Sequence, residues 1–90
     1  FSPSIFYLHQ NHPNPFNPST VIRFNVEMPQ QVSLQIFDIL GQRVATLVDG
    51  IRQAGSYEVR LDAADLSSGV YFYRLQGGNQ QLTRKMTLSK

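Results

Sequence analysis

Two histidines and two aspartates come nearest to carrying chemistry in this chain. His9 and His12 stand three positions apart, a spacing that aims two imidazoles at one metal ion only when the backbone is helical. The segment Asn11-His12-Pro13-Asn14-Pro15-Phe16-Asn17-Pro18-Ser19-Thr20 forbids that helix. Each proline locks φ near about −65°, removes a donor and pushes the residue before it towards extended geometry. No carboxylate lies within several residues of either ring, so both read as solvated loop histidines. Asp62 and Asp65 offer hard oxygens along a loop, but calcium takes about six to eight oxygen ligands. Aspartates serve equally as turn formers and caps, and that is the reading adopted. No nucleophile elbow, phosphate loop, carboxylate pair in a glycosidase context or thiol site is present, so no catalytic residue, cofactor or metal is assigned.

Aromatic rings are the next candidate. Tyr57, Tyr71, Phe72 and Tyr73 could stack on sugar faces if they formed an exposed strip. In a β-sandwich a tyrosine more often puts its ring in the core while its hydroxyl bonds back to a loop. Core and corner roles are therefore expected for the tyrosines, with Phe72 the ring best placed for a sugar.

Composition narrows the rest. Ninety residues with no cysteine make one small domain without disulfides or thiolate metal cages. Folding a chain of this mass buries about 64% of its extended surface, enough for an independent domain of modest stability. A net charge of +2 with 16% charged residues is too weak for nucleic-acid binding. The chain starts at Phe1 without a charged leader or a long apolar run, and is expected to be a piece of a longer protein.

The elements follow from alternation. Residues 1–11 read as the end of a linker in which Ile5-Phe6-Tyr7-Leu8 can form a short edge strand; residues 12–90 form the domain. The proline segment is a rigid, extended strap, with Phe16 as its one large apolar side chain, available to pin it to a core. Strands are predicted over Val21 to Val26, Val32 to Phe37, Arg43 to Val48, Tyr57 to Leu61, Val70 to Gln76 and Gln80 to Ser89. Turns are expected at Asp38-Ile39-Leu40-Gly41, Asp49-Gly50, Gln53 to Ser56 and Gly77-Gly78-Asn79, with a single helical turn near Leu66. Ile22, Phe24, Leu34, Ile36, Val59, Leu61, Tyr71, Tyr73 and Leu75 are the predicted core. The fold class is all-β, an immunoglobulin-like antiparallel β-sandwich of about seven strands. The outer edge of Gln80 to Lys90 is a place where a receptor strand could pair.

Several segments taken together carry a family resemblance. Pro13-Asn14-Pro15-Phe16-Asn17-Pro18, then Ile36-Phe37-Asp38-Ile39-Leu40-Gly41-Gln42-Arg43-Val44, Ala54-Gly55-Ser56-Tyr57, Leu66-Ser67-Ser68-Gly69-Val70-Tyr71-Phe72-Tyr73-Arg74-Leu75 and a last strand ending in lysine resemble the C-terminal sorting domain of type IX secretion cargo. From Ile36 onward the pattern is also similar to the immunoglobulin-like domain of the flagellar hook-capping protein. The resemblance implies a non-catalytic signal that directs an upstream passenger in the same chain, through the periplasm, to the cell surface or medium. It implies as partners the type IX secretion translocon, a sortase-like cysteine peptidase and surface lipopolysaccharide. It places the recognition motifs on Pro13, Asn14, Pro15, Phe16, Asn17 and Pro18, on Gly69, Val70 and Tyr71, and on Lys85 and Lys90. From the residues alone, a carbohydrate-binding accessory module and a structural spacer of an extracellular protein remain as alternatives.

Overall fold

The computed structural model describes residues 6–90, and Ile5 of the expected edge strand lies outside them. Seven strands follow in order: β1 (Phe6–Leu8), β2 (Ser19–Val26), β3 (Gln30–Phe37), β4 (Arg43–Arg52), β5 (Gly55–Asp62), β6 (Gly69–Gly77) and β7 (Gln80–Leu88). The described residues contain no helix. All pairings are antiparallel, giving a three-stranded sheet in the order β1-β2-β5 and a four-stranded sheet in the order β4-β3-β6-β7. This is the immunoglobulin-like sandwich.

The period-2 alternation decides which side chains meet between the sheets. On β2 these are Thr20, Ile22, Phe24 and Val26; on β3 Val32, Leu34 and Ile36; on β6 Tyr71, Tyr73 and Leu75; on β7 Met86 and Leu88. Phe6 and Leu8 of β1 are buried as well, since Phe6 pairs with Val26 and Leu8 with Phe24. Val59 departs from the predicted core and is only half-buried. It lies on β5, which has β2 as its single neighbour at the edge of the smaller sheet, so one flank of its side chain stays open.

The expected turn at Asp49-Gly50 is not a turn. Asp49 pairs with Ser33 and Gly50 with Val32, and β4 continues to Arg52. A cross-strand bond from Gln31 Nε2 to Asp49 Oδ1 at 3.0 Å uses the carboxylate that would otherwise cap a turn. The reversal comes at Gln53-Ala54, where the chain leaves one sheet for the other. Two register shifts, at Leu34/Gln35 and Ile36/Phe37, make β4 a bulged edge strand, a shape that discourages edge-to-edge association.

The Asp38 turn forms as its sequence predicts. Asp38 Oδ1 accepts from Leu40 N and from Gln42 N, both at 2.9 Å. Gly41 N donates to Asp38 O at 3.0 Å, and Asp38 N to Gln42 O at 2.9 Å. Gly41 sits at φ +82°, where a side chain would be strained.

Because Phe24 and Ile36 are fully enclosed while Val59 is not, their truncations should separate. Phe24→Ala and Ile36→Ala should each lose about 2–5 kcal/mol in urea denaturation, and Val59→Ala clearly less. Equal losses at all three would contradict this division of the core.

Candidate functional site

The proline strap does not run as one extended segment. It bends at Pro13–Pro15 and again at Asn17-Pro18, and the peptides before Pro13, Pro15 and Pro18 are cis. Its backbone touches the ladders at two points. His12 pairs antiparallel with Val21 of β2, with N–H···O bonds of 3.0 Å in both directions. Four residues later Phe16 pairs parallel with Leu88: Phe16 N donates to Thr87 O at 3.0 Å and Ser89 N to Phe16 O at 2.9 Å. The strap thus crosses from the smaller sheet to the larger. Phe16, 2% exposed, drives its ring into the core between them. Asn14 Oδ1 adds a bond from Thr87 N at 3.0 Å, and Gln10 Nε2 donates to Lys85 O at 2.8 Å.

These bonds settle what the edge of β7 offers. Towards the end of this edge, Lys85 O is held by Gln10, Thr87 N by Asn14, and Thr87 O and Ser89 N by Phe16. The receptor-strand site predicted along Gln80 to Lys90 is therefore closed over that half, because the strap already occupies it.

Asn11 fixes where the strap begins. Its N–H donates to Tyr73 Oη at 2.8 Å, its Nδ2 to Thr20 Oγ1 at 3.0 Å and Pro13 O at 3.1 Å, and its Oδ1 accepts from Gln10 Nε2 at 2.7 Å. Thr20 Oγ1 in turn donates to Pro13 O at 2.8 Å, and Tyr73 Oη to His9 O at 2.7 Å. Asn11 and Thr20 are the buried polar residues among those described, and this network satisfies them. Sequence reasoning missed both. The signal for Thr20 was its place in the series Thr20, Ile22, Phe24, Val26, which puts a hydroxyl on the inward face.

The other motif residues gather at the same end of the sandwich. Gly69 opens β6 at φ +152°, a conformation that excludes most side chains. Tyr71 is buried and its hydroxyl donates to Ser67 O at 2.7 Å, the corner arrangement expected of a tyrosine at this place in such folds. Lys90 reaches the same loop, its Nζ donating to Ala64 O at 2.6 Å and its N–H to Ser68 Oγ at 3.1 Å. The loop is tied to the strap by Ala63 N donating to Pro18 O at 2.8 Å. Val70 is half-buried, while the side chains of Pro13, Asn14, Pro15, Asn17, Pro18 and Lys90 are exposed. Lys85 stands apart, opposite Phe72 on the outer face of β7.

The remaining candidates are engaged locally. His9 Nε2 lies 2.6 Å from Asn25 Oδ1, and Asp62 Oδ1 accepts from Ala64 N at 3.1 Å, a turn-forming role. No cluster of three or more potential metal ligands occurs among the described residues. Tyr57 stacks on Phe24 with centroids 5.3 Å apart and donates to Gln53 O at 2.6 Å. Arg74 covers the Phe37 ring at 4.3 Å, which leaves the outer face of β3 and β6 without a bare aromatic pair.

A family model described as a secretion system C-terminal sorting domain matches residues 10–89. The chain belongs to this family. A search of curated proteins finds no match. The family is one of sorting signals carried by cargo of the type IX secretion system, and membership implies export to the cell surface or the medium. In this sorting domain the matched span includes the strap, the Gly69 corner and both Lys85 and the last residues of β7.

Two outcomes follow from the strap's anchoring. Phe16→Ala should cost about 3–5 kcal/mol and raise hydrogen exchange at Ser89 N before the central strands open. Burial pushes the Tyr73 phenol above its ordinary value, against the opposing effects of the Asn11 N–H and the Arg84 charge. The folded chain therefore keeps a proton that the unfolded chain releases. The stabilisation is complete below about pH 10 and declines as pH rises through the folded value. Melting temperature should fall more steeply above pH 10 in the wild type than in Tyr73→Phe, which itself should be weaker at neutral pH by about 1–3 kcal/mol. Parallel pH profiles would rule out this role for Tyr73.

Proposed function

We propose that the export machinery reads the strapped end of the folded domain as one surface, and that the domain performs no chemistry of its own. What supports this is convergence. Pro13–Pro18, Gly69–Tyr71 and Lys90 are far apart in sequence, yet Ala63–Pro18, Lys90–Ala64, Tyr71–Ser67 and Phe16–Ser89 bonds join them at one end of the sandwich. A linear signal would not need that assembly. The outer-facing side chains there, Pro15, Asn17 and Lys90, present the recognised chemistry, while Phe16, Gly69 and Tyr71 hold it in shape. Lys85 acts separately, from the outer face of β7.

In this reading the passenger precedes the domain and is joined to it through residues 1–11, with 12–90 as the signal. The passenger crosses the periplasm, engages the type IX translocon, and is separated from the domain by a sortase-like cysteine peptidase that can transfer it to surface lipopolysaccharide. Net charge of +2 gives no reason to add a nucleic-acid partner.

The test fuses residues 1–90 behind a periplasmic passenger in a host with the type IX machine and assays passenger in periplasm, surface and medium. Asn17→Ala should leave stability within about 0.5 kcal/mol, as exposed substitutions do, Lys90→Gln should lose in addition only the exposed bond to Ala64 O, and both should reduce export. Normal export of both folded variants together would show that this end is not the surface being read. A wild-type fusion left in the periplasm would defeat the sorting reading itself.

A further inference from the structure

The described residues expose six large hydrophobic side chains, and three of them, Ile39, Leu40 and Val44, fall on the one hairpin that joins β3 to β4. Ile39 is 69% exposed and Leu40 79%. Singly exposed apolar residues are ordinary, but a pair at a turn tip with a third close behind is a patch. Nothing in the turn requires them. Its conformation is set by Asp38 Oδ1 bonding to two N–H groups and by Gly41 at positive φ, and these would hold as well with polar residues between. The tip is also preorganised, so burying it elsewhere would cost little additional ordering.

Its surroundings define what would cover it. The Asp38 oxygen that points into the turn is consumed by Leu40 N and Gln42 N. Arg43, next along the hairpin, is exposed and makes no ion pair among the described residues. The complement is an apolar pocket with a carboxylate at its rim. Strand direction places the tip at the sandwich end where β6 begins and β7 finishes, since Phe37 pairs with Phe72 and Gly69 with Leu88. It therefore faces the same way as the Gly69 corner and Lys90.

We infer that Ile39 and Leu40 are an apolar docking knob that seats in an acid-rimmed hydrophobic pocket on a protein of the export machinery. This rests on the sorting reading and extends the recognised surface from the strap to the β3–β4 hairpin. Arg43 steers and orients the contact, and the two side chains supply its buried centre, the pattern of an anchor inside a polar rim.

The experiment uses the same passenger fusion, with variants Ile39→Ser/Leu40→Ser, Ile39→Val/Leu40→Met and Arg43→Gln, each checked by circular dichroism and thermal melting. The double serine variant should melt like wild type and be exported at least about tenfold less, the loss expected when about 1.4 kcal/mol of contact is removed. The Val/Met variant should restore export, because apolar character and not the individual side chains matters. Arg43→Gln should give an intermediate defect. If wild type is exported and the folded double serine variant is exported equally, the knob is refuted while the sorting assignment stands. If wild type itself stays in the periplasm, the sorting assignment fails first. Sedimentation of the purified chain adds a third arm: self-association that disappears in the double serine variant would assign the patch to a second copy and overturn the inference.

Discussion

The structure depends on the strap's crossing between sheets, made by Phe16. The two sheets share no ladder. Among the described residues the strap is the segment whose backbone bonds to strands of both, through His12 to Val21 and through Phe16 to Thr87 and Ser89. With no cysteine to bridge the sheets, what opposes their separation is apolar contact across the interior, side-chain bonds such as Arg84 Nε to Leu8 O at 2.7 Å, and this crossover. Burying a phenylalanine is favourable by about 1.5–3 kcal/mol, a sizeable part of the stability of a domain of this size. The prolines reduce the number of conformations the unfolded strap can explore, which lowers the entropy lost when it docks.

The polar groups at the strap follow from the same constraint. A backbone that leaves one sheet for another must break its ladder, and each broken pair exposes N–H and C=O groups that cannot be buried unsatisfied without cost. Asn11 and Thr20 both bond to Pro13 O, Tyr73 bonds to the Asn11 N–H and to His9 O, and Gln10 bonds to Lys85 O. Asn11 fits because a primary amide supplies two donors and an acceptor at one position. An apolar residue there would fill the space but remove one bond each from Pro13 O and Thr20 Oγ1, leaving only the bond between them.

How much of this was legible in the sequence varies with the kind of information. Alternation through Ile22-Phe24-Val26, Val32-Leu34-Ile36 and Tyr71-Tyr73-Leu75 predicted both the strands and their inward faces, because a period of two is a local property. Asp38 and Gly41 predicted their turn for the same reason. Asp49-Gly50 looked equally turn-like, but its pairing with Ser33 and Val32 comes from β3, more than fifteen positions earlier in the chain, and tertiary pairing overrode the local signal. The strap's chemistry was partly visible: Phe16 as an anchor could be read, whereas the contact of Asn14 and Phe16 with Thr87 spans nearly the whole chain and has no local trace. Likewise Gly69-Val70-Tyr71 and Lys90 could be carried over from a family pattern, but that both end on the loop at Ala64 to Ser68 could be known only once β6 and β7 were paired.

Residues that build the signal's shape and residues available to be read are therefore different sets that alternate along the same segments. Phe16 is buried between exposed Pro15 and Asn17, and Tyr71 is buried beside half-buried Val70. Truncating Phe16 or Tyr71 must disturb the surface as it loosens the core, so a sorting defect in such a variant cannot be assigned to recognition. The exposed side chains are free of this coupling to different degrees. Lys90 bonds to a loop carbonyl, so its removal subtracts a contact as well as a charge. Ile39 and Leu40 project from a turn whose geometry is maintained by their neighbours, and their side chains contribute little to the fold. In a domain whose surface and core are so closely interleaved, the hairpin tip is where the surface can be altered with least disturbance to the fold.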